Sequence, residues 1–227
     1  MKNLYFTIDD FELAKPLGKG KFGNVWLARE KNRGYIVALK IIKKLSVKDE
    51  PNTVKQIRRE IEIHCKLNSK YIIRMFGYFY DKYNIYMVME YASGGELFIK
   101  LKDIKPENLL IGFNGELKIC DFGWGVCNID GRRSTYCGTN EYLPPEIVNK
   151  KIYDKSADLW CLGILCYEFI IGDTPMKYNK FYKTNEFFKN LKLQFPDRIS
   201  INARNFISSL LVVDSKQRIT IDDVFNH

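Results

Sequence analysis

Gly18-Lys19-Gly20-Lys21-Phe22-Gly23-Asn24-Val25 is the stretch on which the reading of this chain turns. Its G-x-G-x-x-G-x-V spacing is weak by itself, because glycines also make ordinary turns. Its surroundings decide more. Residues 11–18 before it and 23–30 after it both read as strands. A glycine turn from strand to strand is not the strand-to-helix turn of a dinucleotide-binding Rossmann unit. It suits a flap whose backbone N–H groups approach phosphates with no side chain in the way.

Val37-Ala38-Leu39-Lys40, whose Lys40 lies seventeen residues after Gly23, falls inside a strand pattern over 35–43. On a strand, Ala38 and Lys40 point to one side. The small Ala38 leaves room for a flat base while Lys40 reaches toward phosphates. The plainer reading of Lys40 is an exposed strand-edge lysine, but Val, Leu and Ile on either side mark a buried strand. A buried ammonium needs a partner. Residues 54–67 carry Val54, Ile57, Ile61 and Cys65 at helical spacing, and Glu60 on that helix is the expected partner. Glu62, two residues on, faces elsewhere and is the competitor.

Further outward, 74–79 and 84–90 read as another strand pair, and 109–111 with 117–120 as a hairpin turning at Asn114-Gly115. From Asp154 onward the pattern is mainly helical, over 157–171, about 181–192, 201–211 and 221–225. A β-rich part followed by an α-rich part predicts an α+β fold of two lobes with a cleft between them. The boundary is placed between 91 and 92, giving domains 1–91 and 92–227.

Composition narrows the function classes. The chain has 227 residues, 46% hydrophobic and 28% charged, enough for a sizeable core and too apolar for a disordered tail. No run of 18 apolar residues and no signal-peptide pattern occurs, so the expectation is an intracellular protein with no membrane contact. The net charge of +9 comes from basic residues scattered along the sequence, which favours a solvated surface over a nucleic-acid footprint. The six cysteines, Cys65, Cys120, Cys127, Cys137, Cys161 and Cys166, form no C-x-x-C pair, and only two histidines exist. Reduced thiols fit that pattern better than a zinc site.

The remaining motif set is Asp103-Ile104-Lys105-Pro106-Glu107-Asn108-Leu109-Leu110, followed after the hairpin by Asp121-Phe122-Gly123. Together with the flap and Lys40, it resembles the protein kinases over almost the whole chain. By that resemblance, Asp103 is the catalytic base accepting the substrate hydroxyl proton and Lys105 steadies the γ-phosphoryl group. Asn108 and Asp121 then hold Mg²⁺ beside ATP. The ATP site implied is Leu17, Gly18, Gly20, Gly23, Val25, Ala38, Lys40, Glu60, Glu90, Ala92 and Leu110. Leu17 and Val25 lie above the adenine and Leu110 below it. Met89 precedes a hinge, Glu90-Tyr91-Ala92, whose backbone pairs with the base edge.

Asp121-Phe122-Gly123-Trp124, Arg132-Arg133-Ser134-Thr135-Tyr136-Cys137-Gly138-Thr139 and Tyr142-Leu143-Pro144-Pro145-Glu146 are similar to the activation segment of Aurora-type serine/threonine kinases. Asp158-Leu159-Trp160-Cys161-Leu162-Gly163 continues the likeness. The resemblance implies a pairing of Arg218 with Glu146, and phosphorylation at Thr135 with Ser134 beside it. It also implies protein substrates with basic residues before Ser/Thr, an activator docking on the N-lobe near 54–67, and a role in cell division in cytoplasm, nucleus or spindle.

One departure stands out. Gly94-Gly95-Glu96-Leu97-Phe98-Ile99-Lys100-Leu101-Lys102 runs straight into Asp103, so a C-lobe lacking one to two helices, roughly 30–35 residues, is expected. Lys102 stands where the family carries an arginine that receives the activation-loop phosphate, and a point charge couples less tightly than a guanidinium fork. Three readings compete: a complete kinase whose sequence lacks an exon, a catalytically impaired interaction module, and an active enzyme with unusual packing.

Overall fold

The computed structural model describes residues 6–19, 23–47, 51–96, 108–120, 140–176 and 188–227. These fall into two compact units, 6–96 with 108–120 and 140–176 with 188–227. The first unit therefore extends beyond residue 91 to take in the hairpin.

The first unit holds a five-stranded antiparallel sheet ordered β1-β2-β3-β5-β4. Its strands are β1 (Phe11–Lys19), β2 (Asn24–Glu30), β3 (Ile36–Lys43), β4 (Met75–Tyr80) and β5 (Asn84–Glu90). Alternation sorts the side chains between two faces. Val37 and Leu39 of β3 join Phe11, Ala28, Tyr86 and Val88 in one buried cluster. There the Phe79 ring stacks between Phe11, at 5.7 Å, and Tyr86, at 4.6 Å. Ala38 and Ile42 join Met87 and Met89 on the other face, against Ile57 and Ile61 of helix α1 (Pro51–His64).

Helix α1 starts earlier than the periodicity predicted, and its buried stripe is Ile57, Glu60, Ile61 and His64. Val54 is 46% exposed and Cys65 is exposed, so the expected stripe fails at both ends. The helix meets the sheet through its last two turns only, and there a glutamate and a histidine occupy contact positions that an apolar pattern cannot register. His64 holds its place through a 2.5 Å contact between Nε2 and the Ile73 carbonyl.

A second, small sheet is ordered β6-β7-β8, with β6 (Gly95–Glu96), β7 (Leu109–Ile111) and β8 (Leu117–Ile119). Gly115, at φ +84°, supplies the left-handed residue of the β7–β8 turn. This hairpin is tied to the loop after α1: Ile73 N–H donates to the Ile119 carbonyl at 2.9 Å, and Ile119 N–H donates to Tyr71 at 2.9 Å.

The second unit is built on α3 (Ser156–Ile171), preceded by the short α2 (Pro145–Val148) and followed by α4 (Ile201–Leu210) and α5 (Ile221–Asn226). Trp160, Ile164 and Tyr167 of α3 pack with Met176, Phe188, Ile207 and Leu211. Gly163 permits the approach to α4, since a Cβ there would lie 2.8 Å from the Leu210 Cβ. Gly172, at φ +97°, ends α3 in the left-handed cap, its N–H donating to the Glu168 carbonyl. Burial pushes the Cys161 thiol up to about 12, so it stays an inert core group. The 181–192 segment expected to be helical lies mostly outside the described residues.

Candidate active site

The site residues that the structure describes all belong to the first unit. Of the sequence candidates, Gly20, Asp103, Lys105, Asp121, Ser134 and Thr135 lie outside the described residues. Asn108 is exposed at the mouth of the hairpin, and its carbonyl accepts the Cys120 N–H at 3.0 Å.

The glycines are required for different reasons. A Cβ on Gly23 would sit 2.0 Å from the Ile41 carbonyl oxygen, so β2 can enter the sheet there only without a side chain. A Cβ on Gly18 would meet nothing within 4 Å. Packing among the described residues does not demand glycine at that position, and the open space there suits an approach from outside.

Register sets the interior of the site. Val25 pairs with Lys40, Leu27 with Ala38, and Ala38 in turn with Met89. Ala38, Met89 and Ala92 are buried in one apolar cluster, and Leu17, Val25, Leu110 and Cys120 pack partly buried against it. Of these, Leu17, Val25 and Leu110 are the side chains expected above and below a flat base. The hinge backbone is partly committed: Glu90 N–H donates to the Arg74 carbonyl at 2.8 Å, and the Ala92 carbonyl accepts Gly95 N–H at 3.1 Å. No described residue accepts the Ala92 N–H, although Ala92 is buried.

Lys40 and Glu60 form an ion pair at 2.6 Å, with side-chain exposures of 13% and 3%. Glu60, not Glu62, is thus the partner; Glu62 turns outward and pairs with Arg58 at 3.0 Å. The pair is incomplete. Glu60 Oε2 is buried with no hydrogen-bond partner, and the ammonium keeps two N–H donors that meet no acceptor among the described residues. A polar pair left unfinished beside an apolar cluster and a free hinge N–H fits an adenine nucleotide. For Mg²⁺, no group of three or more His, Cys, Asp or Glu side chains converges among the described residues.

Lys118 was absent from the sequence reading. It is buried, and its ammonium lies 3.0 Å from Glu90 Oε1 and 2.9 Å from the Lys70 carbonyl. Only the position of Glu90 at the hinge could have prompted a search for its partner.

In the second unit, Arg218 grips Glu146 with a two-pronged fork, Nη1 to Oε1 at 2.9 Å and Nη2 to Oε2 at 3.1 Å. The guanidinium also donates to the Ser156 and Val212 carbonyls and lies 5.2 Å from the Trp160 ring. The expected Arg218–Glu146 pair is therefore present.

Comparison with known proteins supplies the family. The model of the protein kinase domain matches residues 11–102 and 98–227. Aurora kinase from Encephalitozoon cuniculi is 46% identical over 259 aligned positions, covering 98% of this chain and 94% of that protein. Aurora kinase from Dictyostelium discoideum is 44% identical, covering 98% of this chain and 66% of its own length. Aurora kinase C from Mus musculus is 40% identical, with coverage of 98% and 92%. The first alignment, 259 positions against 227 residues, leaves at least 32 positions opposite no residue of this chain. That shortfall agrees in size with the roughly 30–35 residues expected to be missing. With the five-stranded sheet, the Lys40–Glu60 pair and these likenesses together, the chain belongs to the protein kinase family as a shortened member of the Aurora type.

Proposed function

We propose that this chain is a protein serine/threonine kinase that transfers the γ-phosphoryl group of ATP to protein Ser/Thr hydroxyls. The observation that carries the reading is the unfinished Lys40–Glu60 pair beside the Ala38, Met89, Ala92 and Leu110 cluster. Leu17, Val25 and Leu110 sandwich the adenine, and the free Ala92 N–H meets its edge. The flap glycines Gly18, Gly20 and Gly23 cover the phosphates, and Lys40 donates to them while Glu60 holds its ammonium in place.

The remaining roles rest on the motifs. Asp103 accepts the proton of the attacking hydroxyl, and Lys105 neutralises charge on the transferred group. Asn108 and Asp121 are the residues that would hold Mg²⁺, which when bound would offset the phosphate charge. Such chemistry asks the protein for positioning and charge compensation rather than covalent help. Thr135 is the activation phosphosite, with Ser134 beside it, and Lys102 couples to it weakly.

Substrates with basic residues before Ser/Thr, an activator docking near 54–67, and work in cell division at the cytoplasm, nucleus or spindle complete the proposal. Exposed Val54 supports a docking role for α1. No described helix is long and apolar enough to cross a membrane.

A second reading is favoured by the 32 or more absent positions: a kinase-like module that binds partners without turnover. Transfer of labelled phosphate from ATP to a basic Ser/Thr peptide separates the two. Transfer lost in both Lys40→Met and Asp121→Asn supports the enzyme. Undetectable transfer by the wild-type chain, with its intact mass at 26.7 kDa, supports the module. If Thr135→Ala abolished all activity, the weak coupling assigned to Lys102 would be wrong.

A further inference from the structure

Lys118 is a charged side chain only 6% exposed, in the middle of β8. Taking an ammonium out of water is costly unless acceptors surround it. Here they come from three directions. Glu90 offers Oε1 at 3.0 Å and Oε2 at 3.2 Å. Lys70 offers its carbonyl at 2.9 Å, and Glu116 offers Oε1 at 3.5 Å.

What these groups belong to gives the arrangement its meaning. Glu90 lies between Met89 and the free N–H of Ala92. Its carboxylate also accepts the Arg74 N–H at 3.1 Å, while its own N–H donates to the Arg74 carbonyl. Lys118 pairs in register with Leu110, the residue read as the floor of the base site. One ammonium thus ties the hinge, the loop after α1 and the strand carrying the floor. A strand end such as Glu90-Tyr91-Ala92 is free to shift by rotation about a few backbone bonds, and a side-chain anchor on the Glu90 carboxylate restrains it without using a hinge N–H group.

We infer that Lys118 is a positioning residue for the nucleotide: through Glu90 it fixes the hinge backbone at the distance from Leu110 that admits an adenine. The inference rests on the nucleotide-site reading above. The effect falls on the base half of the ligand rather than the phosphate half.

Binding of adenosine, which has base and ribose without phosphates, and of ATP is measured by calorimetry on the full chain, well below the unfolding midpoint. In Lys118→Met both affinities fall by the same factor, about tenfold, the scale of one mispositioned hydrogen-bonded edge. Lys118→Arg, which restores a cation, recovers most of the loss. Lys40→Met behaves differently, lowering ATP affinity far more than adenosine affinity. If Lys118→Met does not fold, Glu90→Gln, which keeps size and removes the anion, carries the same expectation. Adenosine affinity within twofold of wild type in the folded variant overturns the inference and leaves the nucleotide reading intact. A wild-type chain that binds neither ligand overturns both.

Discussion

Two buried ion pairs, one in each unit, differ in a way that separates function from framework. Arg218–Glu146 is closed: both carboxylate oxygens are engaged, and the rest of the fork is spent on backbone carbonyls. Lys40–Glu60 is open among the described residues: one oxygen is buried without a partner, and two ammonium donors meet no acceptor. A closed pair has nothing left to offer a ligand, and its worth lies in holding chain segments together. An open pair carries a standing cost, because an unsatisfied buried acceptor is unfavourable by about 1–3 kcal/mol. Such a cost persists where something else completes the arrangement.

The hardest blow to this contrast is Arg218→Met. It strands the Glu146 carboxylate among apolar neighbours, and a loss of about 3–5 kcal/mol in denaturant unfolding is expected. A loss below 1 kcal/mol would mean the fork is not what joins Glu146 to the C-terminal segment. Lys40→Met is expected to cost less, about 1–3 kcal/mol, because that pair is partly open to solvent and already incomplete. Adding Glu60→Gln should restore most of that stability while phosphoryl transfer stays undetectable. Recovery of transfer in the double variant would remove Lys40 from the site.

Lys40→Arg sharpens the comparison further, since it converts the open pair toward a closed one. A fork that engages both Glu60 oxygens should leave stability within about 1 kcal/mol of wild type. ATP affinity should nonetheless fall at least about tenfold, because the planar guanidinium, fixed on Glu60, cannot aim its remaining donors where the ammonium aims. Retained affinity would show that the unfinished geometry is incidental.

The smallest effect concerns a group outside both pairs. The Asp81 carboxyl is held below the usual carboxylate range, first by the Tyr86 hydroxyl and then by the Asn84 and Tyr83 N–H groups. A depressed folded value means its contribution is present above the unfolded pKa of about 3.9 and is lost as pH falls through the folded value. Asp81→Asn should therefore flatten the acid limb of stability below about pH 4, by a few tenths of a kcal/mol at most. An unchanged acid limb would detach this turn from the stability of the sheet.

Legibility in the sequence followed the reach of each interaction. The strands β3 and β5 were readable because period-2 alternation is local, and it sorted Val37 and Leu39 from Ala38 correctly. Glu60 was found because a buried lysine demands an anion and one helix face supplied it. The true stripe of α1 was missed at Val54 and Cys65, since Glu60 and His64 fill contact positions without looking apolar. Lys118 carries almost no local signal: apart from Glu116, its partners lie 28 and 48 residues away, and a lysine in a short hairpin reads as solvent-facing. The glycine flap was legible as a motif, but the clash of a Gly23 Cβ with Ile41 is tertiary and invisible in one dimension.

The docking of the β7–β8 hairpin has a consequence for synthesis. The first unit is discontinuous in sequence, and Tyr71, Ile73 and Glu90 each take a partner from residues 118 and 119. A nascent chain that has left the ribosome only as far as β6 has a sheet whose hinge anchor does not yet exist. Its completion waits on a hairpin translated later, so the first unit matures after the segment leading to the second has begun to emerge.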